Sequence, residues 1–241
     1  MKVFIAGITG ATGRRLAQQL LQRGHTVVAI ARSQGLLTKA LLEHPELSLK
    51  IGSIGDIPDS ELVSLLEGCD AIGCCLGHNL SAKGIWGHPR RLVLDIVKRM
   101  YRLALEKSNV DKPVRFVLMG SNGVIHPDGQ DQNKCADRAV LTALRYILPP
   151  HRDNELAAEY LINQNDQKVQ WCIVRPVGLI DELEVSPIKV FASAQRGPIF
   201  SSDFISRINV AEFMTQLMSN DAVWKEWQGK MPVIYNENSL Q

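Results

Sequence analysis

Excess charge, paired cysteines and long apolar runs are all scarce in this chain, and each scarcity closes off a class of protein. Its 27 Lys and Arg stand against 25 Asp and Glu, a net charge of +2. That balance gives no field to attract a polyanion, so nucleic acid is not an expected partner. The cysteines (Cys69, Cys74, Cys75, Cys135, Cys172) are odd in number and lack any Cys-x-x-Cys spacing. A disulfide framework and a structural zinc site are both disfavoured, and reduced, mostly buried thiols are expected. The first apolar stretch covers only residues 3–6, too short for a secretion signal or a membrane span, which leaves the cytoplasm as the default location. No internal repeat or low-complexity tract is present. A chain of 241 residues, 45% hydrophobic and 22% charged, suits a single soluble domain over 1–241 with a substantial core.

What is present starts at once. The apolar run Val3-Phe4-Ile5-Ala6 meets Gly7-Ile8-Thr9-Gly10-Ala11-Thr12-Gly13, and an amphipathic stretch follows from Arg14 to Leu21. Strand, glycine turn and helix in that order expose backbone N–H groups at a helix N-terminus, where the phosphates of a dinucleotide are held. Gly7 lets the chain leave the strand, Gly10 lets backbone approach a pyrophosphate, and Gly13 lets the helix lie against the sheet.

Further on, apolar runs alternate with helical spacing, the pattern of repeated βα units and a Rossmann-type doubly wound parallel sheet in an α/β fold. Strands are expected at 25–31, 48–51, 70–76, 114–119, 170–176 and 231–235. Helices are expected at 36–42, at 59–67 with Asp59 opening it, at 90–107 with a solvated basic face, at 153–163 after a break at Pro149-Pro150, and at 210–218. Residues 177–206 lose the βα rhythm and read as a small substrate-covering region.

Several blocks resemble the atypical short-chain dehydrogenase/reductases, among them NmrA-like proteins and the flavin/biliverdin reductase type. They are residues 1–13, Ala31-Arg32-Ser33, Gly55-Asp56, 116–124 and 173–179. The resemblance implies an NAD(P)-binding site in which Asp56, with Ile57 beside it, meets the adenine amine. It also implies that Leu76 and Gly77 pass the nicotinamide-side ribose, with Gly120, Pro176 and Val177-Gly178-Leu179 on the same side. Arg32 and Ser33 stand where an NAD-binding protein usually carries a carboxylate for the ribose hydroxyls. A guanidinium there offers donors to a 2′-phosphate, with Arg14 and Arg15 adding positive charge, so NADP(H) is preferred over NAD(H).

Catalytic members of the superfamily carry a serine after the fifth strand and a Tyr-x-x-x-Lys on the next helix. Ser121 fits the first; no Tyr-x-x-x-Lys exists in the chain, and its two slots fall on His151 and Glu155. His151 is a substitute acid if Glu155, one helical turn away, orients it; the rival reading is a solvated pair with His151 outside the helix. Asn79, Lys83 and Trp86 are candidates for the substrate side. His78 and His88 flank that loop without acidic or cysteine neighbours, so no metal is expected. Two functions stand: an NADP(H)-dependent oxidoreductase acting on a small carbonyl, quinone or flavin/tetrapyrrole-like acceptor, or a non-catalytic NAD(P)(H)-binding sensor of the NmrA-like type. The expected partner is a small-molecule substrate, with neither nucleic acid nor membrane, and the chain is a monomer or homodimer.

Overall fold

The computed structural model describes residues 1–78, 87, 89–127, 131, 135–201 and 203–240, without the side chains of Cys135 and Arg138. Asn79, Lys83, Trp86 and His88 lie outside the described residues. The first half runs β1 (Lys2–Ala6), α1 (Ala11–Gln22), β2 (Thr26–Ala31), α2 (Lys39–Leu42), β3 (Leu47–Ile51), α3 (Asp59–Leu66) and β4 (Ala71–Cys74). It continues with α4 (Leu92–Lys107), β5 (Val114–Met119), α5 (Cys135–Ile147), α6 (Pro149–Ile162), β6 (Val169–Pro176), β7 (Gly178–Ile180) and β8 (Ile188–Phe191). β9 (Phe204–Ser206), α7 (Arg207–Ser219), α8 (Asp221–Trp227) and β10 (Val233–Asn236) complete it.

The main sheet has the order β3-β2-β1-β4-β5-β6-β10-β8. Its strands pair in parallel except β8, which runs antiparallel to β10 at the edge. Strand alternation builds two cores. Val3 and Ile5 of β1 join the face covered by α1 and α7, while Phe4 and Ala6 join the face covered by α3, α4 and α6. The chain winds outward from β1 through β2 to β3, then returns to the centre at β4 and winds the other way. The C-terminal ends of β1 and β4 therefore part, and a doubly wound sheet binds its ligand in that crevice.

Four local expectations are corrected. The helical region does break beside the proline pair, at Leu148 between α5 and α6, but α6 restarts at Pro149 rather than Asp153, because a first-turn N–H has no partner to lose and the proline φ is already helical. His151 therefore lies inside the helix. Asp59 does not cap α3: the cap position is Pro58, with no side-chain hydrogen bond, and Asp59 sits in the first turn. The region 177–206 is less irregular than its composition predicts, since β8 joins the main sheet by pairing Val190 with Ile234 and Lys189 with Tyr235. Finally, α8 is an unforeseen short helix, opened by Asn220, whose side chain accepts from Ala222 N–H at 2.9 Å, and held by buried Trp224 and Trp227.

Candidate cofactor site

The glycine turn is shaped by backbone crowding. Gly7 has φ +89°, and a Cβ there would stand 2.7 Å from the Cys75 carbonyl oxygen at the exit of β4. A Cβ on Gly13 would overlap the Gly7 carbonyl. Gly10 differs: as the cap of α1 it has an ordinary extended conformation, φ −68° and ψ 157°, and its Cβ would meet the Gly7 oxygen at 3.2 Å and the Cys75 oxygen at an ordinary 3.9 Å. No side chain caps α1, and its first turn carries no acidic residue. The N–H groups of Ala11, Thr12 and Gly13 thus face the crevice with the positive end of the helix dipole and no competing carboxylate.

Two segments continue the crevice on the β2–β3 side. Arg32 and Ser33 follow β2 and are exposed. Neither Arg32 nor the half-buried Arg14 has an ion pair among the described residues. Arg15 is not available in the same way: its guanidinium bonds the Ala11 carbonyl at 2.8 Å and Asp181 at 2.9 Å. The Gly52 N–H donates to the Ala31 carbonyl at 2.9 Å, which ties the loop carrying Asp56 and Ile57 beside Arg32. The Asp56 carboxylate is exposed and without a partner among the described residues.

On the other side of β1, Leu76 is half-buried and Gly77 exposed. The next residue, His78, places Nε2 2.7 Å from Asp153 Oδ2. Asp153 is fully buried on α6 and also accepts the N–H groups of Val93 and Leu94 at 2.8 and 3.0 Å, capping α4 from outside. His78 thus has the acidic neighbour that its local sequence lacks. After β5, Gly120 N–H donates to Val174 and Asn122 N–H to the Pro176 carbonyl, at 2.8 and 2.9 Å. The ends of β5 and β6 are held edge to edge, and Ser121 sits between these two bonds. Its Oγ accepts the Gly123 N–H at 3.1 Å, which leaves its own proton free to donate.

Arg175, near the end of β6, ties several segments together. It is fully buried, and all five guanidinium protons have acceptors: Met231 O, Val124 O, Ala192 O and both oxygens of Asp131, the last pair at 2.8 and 3.1 Å. Asp131 in turn accepts the N–H groups of His126 and Ala194. Burial pushes the Asp131 carboxyl up, but Arg175 and these N–H groups hold it below its ordinary value. One ion pair therefore joins the segment after β5, the segment after β8 and the start of β10.

His151 comes close to Ser121. Its Cε1 lies 3.4 Å from the position a Cβ on Gly123 would take, and Ser121 Oγ lies 3.5 Å from the same point. Its Nε2, however, is closed to solvent, accepts or donates no hydrogen bond among the described residues, and stands 3.5 Å from Glu155 Oε1. The Glu155 carboxylate is gripped instead by Arg145, at 2.8 Å to each oxygen, and by Arg152 at 3.2 Å. Burial opposes its charge, yet His151, Arg145 and Arg152 pull its pKa down to about 2. A cavity of about 670 Å³ at the start of β6, floored by Trp171 and edged by Lys230, contains none of the residues singled out from the sequence.

A dinucleotide fits these residues: a turn with no room for a Cβ at Gly7 or Gly13, an uncapped helix N-terminus without acid, and, after β2 and β3, a guanidinium and a carboxylate without an ionic partner among the described residues. The sequence profile of an NAD(P)H-binding family matches residues 7–221, and the chain belongs to that family. An uncharacterised chloroplastic protein of Arabidopsis thaliana is 33% identical over 76 residues, a match spanning 32% of this chain and 27% of the plant protein. A short-chain dehydrogenase/reductase of Veillonella parvula, solved in complex with NADP, superposes with a TM-score of 0.68 at 13% identity, over 99% of this chain and 95% of that one. The anaerobilin reductase ChuY of Escherichia coli O157:H7 superposes with a TM-score of 0.67 at 17% identity, over 99% and 98%. The fold is that of the NAD(P)-binding reductases.

Proposed function

We propose that the protein is an NADP(H)-dependent oxidoreductase that moves hydride to a small carbonyl, quinone or flavin/tetrapyrrole-like acceptor. The observation that carries this reading is the pairing of an acid-free helix N-terminus with an exposed Arg32 that has no ion pair among the described residues, at neighbouring strand ends. In this reading the α1 N–H groups and the turn from Gly7 through Thr9, Gly10, Ala11 and Thr12 to Gly13 hold the pyrophosphate. Arg32 and Ser33 take the 2′-phosphate, with Arg14 adding charge. Asp56 and Ile57 hold the adenine, while Leu76, Gly77, Gly120 and Pro176 flank the nicotinamide ribose. The bound cofactor supplies the hydride. Ser121 donates its proton in a hydrogen bond to the acceptor oxygen as charge develops there. His151, whose Cε1 edge lies beside Gly123 and Ser121, is the substitute acid in this reading.

The second reading, a non-catalytic NAD(P)(H) sensor, is favoured by one observation. Glu155, at the lysine slot, is occupied by Arg145 and Arg152 and leaves His151 at 3.5 Å. Mixing the NADPH-loaded protein with quinones, flavins and aldehydes while following NADPH absorbance separates the two. The oxidoreductase reading expects turnover that falls about 100-fold in Ser121→Ala and again in His151→Ala, the scale of one proton-transfer group. Tight binding with no acceptor oxidising the cofactor would establish the sensor instead.

The substrate is then a small molecule and the chain a monomer or homodimer; the exposed positions of α4 are charged, Asp95, Lys98, Arg102, Glu106 and Lys107. A cytoplasmic location is supported by the free thiols Cys69, Cys74, Cys75 and Cys172. Burial pushes Cys69 up to about 11 and Cys74 to about 12, outside the range of reactive thiolates. Among the described residues no helix is long and apolar enough to cross a membrane. The chloroplastic relative makes an organelle the alternative location.

A further inference from the structure

The basic residues of α4 read from the sequence as a solvated face, and one of them is not. Arg99 reaches across to the loop between β3 and α3 with its side chain only 16% exposed. Its Nε donates to Asp59 Oδ1 at 2.6 Å, Nη1 to the Ile54 carbonyl at 2.7 Å, and Nη2 to the Ile57 carbonyl. The loop closes on itself at the same place: the N–H groups of Asp56 and Ile57 both donate to the Ser53 carbonyl, at 2.9 and 3.2 Å. The carbonyls of Ser53, Ile54 and Ile57 are thus all used on the protein side, and the carboxylate of Asp56 is the group the loop turns to solvent.

We infer that Arg99 is a positioning residue for adenine recognition: it fixes the loop that presents Asp56 to the exocyclic amine, although it touches no nucleotide itself. This rests on the proposal that the crevice binds NADP(H) with Asp56 at the adenine. The chemistry favours an arginine at this point. A planar guanidinium satisfies two carbonyls about a turn apart and one carboxylate at fixed angles, which a lysine ammonium on a flexible stem does not. Loops without such a tie sample several conformations, and each conformation that misdirects the Asp56 carboxylate lowers the bound fraction in proportion. Arg102 supplies the internal control. It stands on the same helix and pairs with the same Asp59, and with Glu106, but reaches neither loop carbonyl.

The test measures affinity for NADPH and for its analogue with unsubstituted purine in place of adenine, which lacks the exocyclic amine and adds no bulk. Loss of one charge-assisted hydrogen bond is the main difference, so the native protein prefers NADPH by about 10-fold. Arg99→Ala and Arg99→Lys are expected to collapse that preference to within about 2-fold, chiefly by weakening NADPH, while Arg102→Ala keeps it. Thermal melting of each variant reports folding separately, and the preference is a ratio within one variant, so a general loss of stability does not imitate the effect. A preference that survives in Arg99→Lys, or equal losses for both nucleotides, overturns the positioning role. A native protein that binds NADPH with no preference overturns the role of Asp56. One that binds neither nucleotide overturns the cofactor proposal beneath it.

Discussion

Arg145 and Glu155 form a two-pronged ion pair, 2.8 Å on each prong, that joins the end of α5 to the first turns of α6. The carboxylate that sequence spacing offers to His151 is spent largely on an arginine from another helix. Together with His151 and Arg152, this pair sets the acid sensitivity around Glu155. The folded Glu155 pKa is depressed from 4.5 to about 2, so the interaction contributes fully above about pH 4.5 and is lost as pH falls through that window. Unfolding midpoints recorded between pH 7 and 2 should fall more for the native protein than for Glu155→Gln below pH 4.5. At neutral pH, Glu155→Gln should cost about 1–2 kcal/mol, since Arg145 is partly exposed and solvent screens the pair. Parallel pH curves would show that the ion pair has no such role.

The buried pair of Arg175 and Asp131 behaves differently. Removing one partner strands a charge without water, so Asp131→Asn or Arg175→Leu is expected to cost about 3–5 kcal/mol and to loosen the segments after β5 and β8. Denaturant titration reads the first effect and amide exchange at Val124, His126 and Ala194 the second. A loss under 1 kcal/mol contradicts it.

The three glycines of the turn separate structure from binding. Gly13→Ala has no room and should destabilise the fold by about 2 kcal/mol or more, because Cβ overlaps backbone that cannot rotate away. Gly10→Ala meets one close contact, 3.2 Å, at an ordinary φ. Its melting temperature should stay within a few degrees of the native value while NADPH affinity falls at least about 10-fold, the loss of one good phosphate contact. Equal melting losses at both positions would remove the case for a ligand at Gly10.

The parts legible in the sequence were those written in local pattern. The glycine spacing after β1, the alternation of the parallel strands and β5 at its observed limits all follow from neighbours within a few residues. What escaped was tertiary. Nothing near Arg145 or Glu155 announces their pairing, and His78 meets Asp153 across 75 residues. Arg99 looks like any solvent-facing arginine of an amphipathic helix until the loop carbonyls are placed around it. The prolines at the start of α6 read as a break because the same residue both stops and starts helices, and only the position of the first turn decides between the two.

The proposed selectivity for the 2′-phosphate through Arg32 is read by paired titrations of NADPH and NADH into native protein and Arg32→Glu. Native protein should bind NADPH at least about 10-fold more tightly than NADH, the worth of one guanidinium–phosphate contact, and Arg32→Glu should abolish or invert that ratio. Equal losses for both nucleotides, or no loss for either, would contradict it.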